Sequence, residues 1–342
     1  MPHPVLDRDE LCSILSLYHL DGLEDFGDLP SAPGLTTYWA RVGGRRYLVR
    51  LSGRRRFSDM VFDRELLAHL RSVGLPVPRV VENVASGSFT PWSARGHYVS
   101  IYEDVGGRRL GVFELRTRHA RAIGDFLGRM HRASDGFEGT RKNPVDLERL
   151  ADLFARILKK VAKGGPYAEH GAAIEVMGDA LVVQESRRFR GPAGVVHGDL
   201  FVGNARFRGE ELASVFDFEL ACTERFTWDL ASTINAWCWE PSPTQRGGPA
   251  GSYSARKLRG LLAAYTHVRP LTPADYKELA QDLRLLALRT ALLRFAEFEV
   301  PKKRGQPYRD YRHFLARLGV LADGEAEALL SRASAGLKSP KE

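Results

Sequence analysis

The 342-residue sequence is short of several things. It has three cysteines, Cys12, Cys222 and Cys238, none in a CxxC pair, which argues against a zinc site and a disulfide framework. No run approaches the roughly 18 uninterrupted apolar residues that a membrane helix needs. The N-terminal segment MPHPVLDRDEL lacks the charged-then-apolar order of a secretory signal. A reducing cytoplasm and no membrane association are therefore expected. Lys+Arg is 50 against Asp+Glu 42, a formal charge of +8, yet no DNA- or RNA-binding signature accompanies the excess. The basic residues fall in scattered groups (Arg54 to Arg56; Lys159 and Lys160; Arg187, Arg188 and Arg190; Lys302 to Arg304) that read as solvated faces, so no nucleic-acid partner is expected. Internal repeats, low-complexity blocks and a Walker A motif are absent too.

What is present is a change of pattern along the chain. Residues 7 to 20 have helical spacing, with Leu11, Ile14, Leu15 and Tyr18 on one face. Two β-rich runs within 33–51 flank Gly43-Gly44, a hairpin signal. A helix is expected over 58–73, capped by Ser58 or Asp59 and stopped by Gly74, Pro76 and Pro78. Residues 98–102 form a further apolar strand. After it, helical spacing dominates: 119–131, two helices within 144–188, then about 228–239, 254–267, 273–298 and 308–318. A polar Gly- and Pro-rich loop spans 241–251. The expected class is α+β: an N-terminal lobe over 1–104 with an antiparallel sheet and a helix, a mainly helical C-terminal lobe over 105–333, and a disordered tail over 334–342.

The segment VVHGDLFVGNARFRGEELASVFDFELACTERFTWDLA breaks the helical pattern. Val195 and Val196 end a buried strand, His197-Gly198-Asp199 opens a loop, and Asn204 follows Asp199 by five residues. Ala205 to Arg208 and Leu212 to Phe216 read as two strands around Gly209-Glu210, with Asp217 directly after. A hairpin brings its open ends together, so Asn204 and Asp217 should lie side by side next to Asp199. An amide oxygen and a carboxylate are hard ligands in low number, which suits Mg²⁺ shared with phosphates and water. Asp199 is then left to accept the proton of an attacking hydroxyl, the division of labour of a kinase site. His197 is expected to hold the loop through backbone hydrogen bonds. Asp229, in the first turn of the next helix, favours the helix dipole and could brace the loop.

Such chemistry needs a cation on the phosphates and a helix-borne acid holding it. Arg50, closing the strand Tyr47-Leu48-Val49-Arg50, is the expected cation, and Glu65 on the following helix its expected partner. Gly34 is the one glycine of the expected phosphate-covering loop SAPGLT. Backbone groups from Ile101 through Glu103 to Val105 are expected beside the adenine of ATP. H-R-D and A-P-E elements with an activation loop between them are absent, which favours a small acceptor over a protein.

With these residues in place, the chain resembles the aminoglycoside phosphotransferase and choline kinase-like superfamily, and within it the bacterial homoserine kinases of that fold. The resemblance runs over about residues 5 to 320. It rests on RELLAHLRSVGLPVPRVV, VVHGDLFVGN, DFELAC, WDLASTINAWCWE, LLAAYTHVRPLTPADY and LRTALLRF. It implies a bilobal protein-kinase-like fold and a Mg²⁺- and ATP-dependent transfer to a small alcohol, with Asp199 as base and Asn204 and Asp217 as metal ligands. It also makes L-homoserine, on the way to threonine, the leading acceptor. Choline, a sugar or an aminoglycoside are the alternatives, and a nucleotide-binding regulatory protein is an alternative of another class. Homoserine is a zwitterion. Glu240 or Asn235, with Trp237 on the same helix, is expected at its ammonium, and Arg289 or Arg294 at its carboxylate.

Overall fold

The computed structural model describes residues 6–29, 35–53, 55–85, 87–92, 97–161, 168–185, 191–245, 247–299 and 310–337. The chain opens with α1 (Arg8–Ser16), started by a reciprocal cap in which Asp7 accepts from the Glu10 N–H and Glu10 from the Asp7 N–H. It is shorter than the expected 7–20, because the chain turns at His19 and Gly22, both at positive φ. Three strands follow, β1 (Leu23–Leu29), β2 (Leu35–Val42) and β3 (Arg45–Gly53), then α2 (Phe57–Ser72), β4 (Thr90–Trp92) and β5 (His97–Glu103). The antiparallel sheet runs in the order β1-β2-β3-β5-β4. Strand β1 carried no sequence signal: in LEDFGDL only Leu23 is buried, so no alternation marks it.

The start of α2 corrects the expected cap. Arg56 is the N-cap, and Asp59 accepts from its N–H at 3.3 Å. At the other end Gly74 takes a left-handed conformation (φ 76°) while Leu75 N–H reaches back to the Leu70 carbonyl at 3.0 Å, a Schellman-type stop.

The second half is helical around a small β insert. Helices α3 (Thr117–Ala133), α4 (Leu147–Val161) and α5 (Gly171–Glu185) precede β6 (Ala193–Val196), the hairpin β7 (Ala205–Arg208) and β8 (Glu211–Val215), and β9 (Cys222–Arg225), which pairs back onto β6. Helix α6 (Phe226–Trp237) follows, every residue of it buried. Strands β10 (Trp239–Pro241) and β11 (Gly251–Tyr253) pair across the expected 241–251 loop. Then come α7 (Ala255–Val268), α8 (Pro273–Arg294) running into a π-turn (Phe295–Glu299), α9 (Arg312–Val320) and α10 (Glu325–Ser334). The expected tail begins inside α10, and its residues 338–342 lie outside the described residues.

One core fills the sheet side, from α1 to β5, and a larger one fills the helical half. Helices α3 and α7 cross so closely at Gly124 that a Cβ there would overlap the Leu261 carbonyl. Among the described residues no helix is long and apolar enough to cross a membrane. The expectation of solvated basic groups holds for Lys159 and Lys160. It fails for Arg55, which is largely buried among acids; Arg54, Arg187, Arg188, Arg190 and Lys302 to Arg304 lie outside the described residues.

Candidate active site

The loop after β6 is built from below. Asp229, in the first turn of α6, has no solvent exposure. Its carboxylate accepts from the backbone N–H of His197 at 2.7 Å and of Gly198 at 2.9 Å, and from the His131 ring at 3.2 Å. Burial alone would raise the Asp229 pKa, but the bonds from His131 and the loop outweigh it and hold the group below its ordinary range. The His131 Nδ1 in turn meets the Tyr265 hydroxyl at 2.8 Å. Gly198 sits at φ 77° with the Leu220 carbonyl where a Cβ would be, so the tight turn before Asp199 requires glycine.

His197 is a fastening, with its side chain committed to the backbone. Its Nδ1 accepts from the Asp199 N–H at 3.2 Å, and its Nε2 faces the Phe216 carbonyl at 3.2 Å, a pattern that assigns the neutral Nε2–H tautomer. Burial lowers its pKa accordingly.

Asn204 joins the loop to the hairpin. Its Nδ2 donates to the Asp199 backbone carbonyl at 2.8 Å and to the Asp199 carboxylate at 3.2 Å, while the Asn204 backbone carbonyl accepts from Phe216 N–H at 3.0 Å. The hairpin thus closes with Asp217 beside Asn204. Asp217 is in the left-handed region (φ 73°, ψ 59°), which Asp tolerates better than most residues. Its Oδ1 meets the Arg50 guanidinium at 2.9 Å. Burial would raise the Asp217 pKa, and the Arg50 charge and hydrogen bond carry it below the ordinary range instead.

These donors fit a small hard cation. Because the Asn204 amide nitrogen is turned to Asp199, the amide oxygen is the atom left for a metal, and Asp217 already holds a positive group. Among the described residues no three His, Cys, Asp or Glu form a closed metal cage. A site of two protein oxygens suits an ion that keeps its waters and shares phosphate oxygens.

Arg50 reaches Glu219 at 3.3 Å as well as Asp217, and Glu65 plays no part. Glu65 is 48% exposed and pairs with its neighbour Arg64 at 3.3 Å, which corrects the expected partnership. The reason is helical register: two residues turn α2 by about 200°, so the face that presents Asp63 inward sends Glu65 outward. Asp63 binds Arg55 at 2.8 Å and Arg141 at 2.8 Å. Arg141 also donates to the carbonyls of Ala221 (2.6 Å), Phe218 (3.1 Å) and Glu219 (3.2 Å), clamping the turn after Asp217. Neither Glu219 nor Arg141 was anticipated as functional. A lone arginine in a loop carries no periodic signal.

Two of the backbone groups expected beside the adenine already have partners in the sheet lobe. Ile101 is fully buried in the sheet, with its carbonyl taken by Val81 N–H at 2.8 Å, and the Glu103 N–H goes to the Arg79 carbonyl at 3.0 Å. Asp104, next along, joins Arg46 at 3.3 Å to Arg206 at 2.5 Å. Gly34 lies outside the described residues.

Of the expected acceptor residues, four are committed to the scaffold. The Asn235 amide donates to the Leu283 carbonyl at 3.0 Å and accepts from the Tyr253 hydroxyl. The Trp237 indole supports the loop of Asp199 through the Leu200 carbonyl at 2.9 Å. Glu240 pairs with Lys257 at 3.1 Å. Arg294 donates to the Asp310 carbonyl at 3.2 Å and stacks over Phe314. Arg289 differs: it is 3% exposed, and its Nε is buried with no hydrogen-bond partner. Burial lowers its pKa, and the nearby negative charge of Asp199 is the first influence opposing that. Arg317, which the sequence did not single out, is buried between Trp239 and Phe314, and burial brings its pKa down to about 10.

Residues 34–271 match the sequence profile of the phosphotransferase enzyme family. Among curated proteins, the chain is 30% identical to a homoserine kinase of Methylobacterium nodulans over 85% of this chain and 86% of that one. It is 31% identical to a homoserine kinase of Methylocella silvestris over 71% of each chain. Among solved structures, an amicoumacin kinase in complex with AMP-PNP and Ca²⁺ superposes with TM-score 0.66 at 15% identity, over 98% of this chain and 96% of that one. A spectinomycin phosphotransferase bound to ADP and spectinomycin gives 0.64 at 12% identity, over 97% and 99%. At these identities the likeness is one of fold: the bilobal, protein-kinase-like arrangement of a sheet lobe and a helical lobe.

Proposed function

The chain belongs to the phosphotransferase enzyme family and is a kinase, and from that premise we propose that it transfers the γ-phosphoryl group of ATP, with Mg²⁺, to the hydroxyl of L-homoserine. The homoserine kinases among its relatives support this acceptor. The observation that carries it is Arg289, a buried guanidinium with an unpartnered Nε–H, close enough to Asp199 to feel its charge. A carboxylate bound there leaves the short hydroxyl arm of the same molecule to reach Asp199. Asn235, Trp237 and Glu240 are committed to other partners and take no direct part in this reading.

In the mechanism, Asp199 accepts the hydrogen bond of the acceptor hydroxyl and receives its proton as the oxygen attacks phosphorus in line. Asn204 and Asp217 would hold the metal, which supplies charge neutralisation on the phosphate oxygens. Arg50 faces the phosphates. Asp229 and His197 keep the loop in one conformation, so that most of the acceleration comes from positioning and electrostatics.

The test is ADP release by the purified protein with Mg-ATP and L-homoserine, beside choline, a sugar and kanamycin, with Asp199→Ala as blank. Turnover confined to homoserine is expected. Arg289→Ala should raise the homoserine KM by about tenfold or more while leaving the ATP KM within about twofold, as loss of a charged hydrogen bond to one substrate alone requires. An unchanged homoserine KM removes Arg289 from the site. Turnover of another alcohol replaces the acceptor and keeps the chemistry. ATP binding without any ADP formed favours a regulatory protein.

A further inference from the structure

Arg50 lies between two carboxylates on one short turn, Asp217 Oδ1 at 2.9 Å and Glu219 Oε1 at 3.3 Å, and its Nε is buried without a partner. If Asp217 turns Oδ1 to a metal ion, Arg50 loses that contact, and something else must then balance the guanidinium. Glu219 is placed to do so. Its Oε1 also meets Arg55 Nη1 at 3.5 Å, Arg55 is fixed to Asp63 at 2.8 Å, and Asp63 is fixed to Arg141 at 2.8 Å. Arg141, with Asp59 a further 3.9 Å away, holds the Glu219 backbone through its carbonyl at 3.2 Å. Acids and arginines alternate along this chain: Asp217, Arg50, Glu219, Arg55, Asp63, Arg141. Removing Asp217 to a metal leaves Arg50 with one carboxylate. Removing Glu219 as well would leave it largely buried with none, a costly arrangement.

We propose that Glu219 is the positioning residue for Arg50: it keeps the guanidinium aimed at the phosphates after Asp217 has exchanged it for the metal. The anchor of the phosphate-facing cation therefore sits in the helical lobe, on the same turn as the metal ligand, and helix α2 contributes only indirectly, through Asp63 and Arg55. Nucleotide, metal and arginine are set by a single turn of chain. This inference rests on the phosphotransferase reading of the site.

The experiment is calorimetric titration of the full chain with AMP-PNP in Mg²⁺, for wild type, Glu219→Gln, Glu219→Asp and Glu65→Gln, with circular dichroism to confirm folding. Glu219→Gln should weaken nucleotide binding about tenfold or more, as loss of a charge-assisted contact requires. Glu219→Asp should restore part of the loss, and Glu65→Gln should stay within about twofold of wild type, as an exposed pair dictates. The acceptor KM should not move in any of them. Mn²⁺ titration followed by electron paramagnetic resonance, with AMP-PNP present, should give the same ion stoichiometry for Glu219→Gln as for wild type. Unchanged nucleotide affinity in both Glu219 variants overturns the proposal, and so does loss of a Mn²⁺ equivalent, which would make Glu219 a metal ligand. A wild-type protein that binds no nucleotide overturns the phosphotransferase reading with it, whereas wild-type binding with indifferent variants overturns the proposal alone.

Discussion

Two acidic residues in the helical lobe, Asp229 and Asp217, are held in different ways: the first is fully buried, the second about a third exposed. Asp229 is satisfied by two backbone N–H groups and a histidine ring, all fixed by the fold. Asp217 is satisfied by the side chain of Arg50, 167 residues away in sequence and on the other lobe. The first arrangement has nothing to exchange, and it fixes the loop carrying Asp199. The second is a pairing of charges on side chains that can turn, and a metal or phosphate can replace either partner. Under the proposed function, the site therefore pairs a fixed loop at Asp199 with an exchangeable charge pair at Asp217.

The largest expected effect tests the exchangeable half. Asp217→Asn should lower kcat by about 10³-fold or more while the thermal midpoint moves by only a few degrees, and Asp199→Asn should do likewise. A stable, active Asp217→Asn protein would remove the metal assignment. Next comes the braced half: Asp229→Asn swaps a charged acceptor for a neutral one and leaves part of the loop and the His131 pair unsatisfied. It should cost about 3–5 kcal/mol in urea unfolding. A cost below about 1 kcal/mol would show that the two acids are held alike.

The pH dependence sharpens the comparison from the side of His131. Burial lowers the His131 pKa, so the folded protein keeps that ring neutral where the unfolded chain takes up a proton. The unfolded state therefore binds more protons below about pH 6.5, and stability should fall as pH drops through that value, by up to about 1.4 kcal/mol per unit for this one group. Urea midpoints at pH 7.5, 6.5 and 5.5 measure the slope, which should flatten in His131→Gln. The smallest effect belongs outside both halves: Glu65→Gln should leave stability within about 0.5 kcal/mol and turnover unaltered, because its ion pair is exposed.

Legibility in the sequence followed the same division. The hairpin that joins Asn204 to Asp217 could be read, because strand length, turn residues and spacing are local properties. So could α2 and the long helices, whose apolar spacing is dense. Strand β1 could not: it is an edge strand with one buried side chain. Nor could the partner of Arg50, since charge pairs between elements depend on which helix face turns inward. A rotation of two positions along α2 replaced Glu65 by Asp63, and Asp63 in turn serves other arginines. The acceptor residues failed for a related reason. Asn235 and Trp237 lie on a helix buried on every side, where polar groups serve the scaffold.

Asp104 sits where the sheet lobe passes into the helical one, and its buried carboxylate is shared by Arg46 from the sheet and Arg206 from the β7–β8 hairpin. Arg46 is itself stacked on Trp39, 4.8 Å from the ring centre. In mechanical terms this is a pin joint: one oxygen-bearing group fastens both members at a single point. Rotation about that point preserves both contacts, while sliding of one lobe along the other breaks at least one. The constraint at Asp104 thus bears on how the two members can move as much as on how they sit, and a neutral residue there would free a direction of travel that the native joint denies.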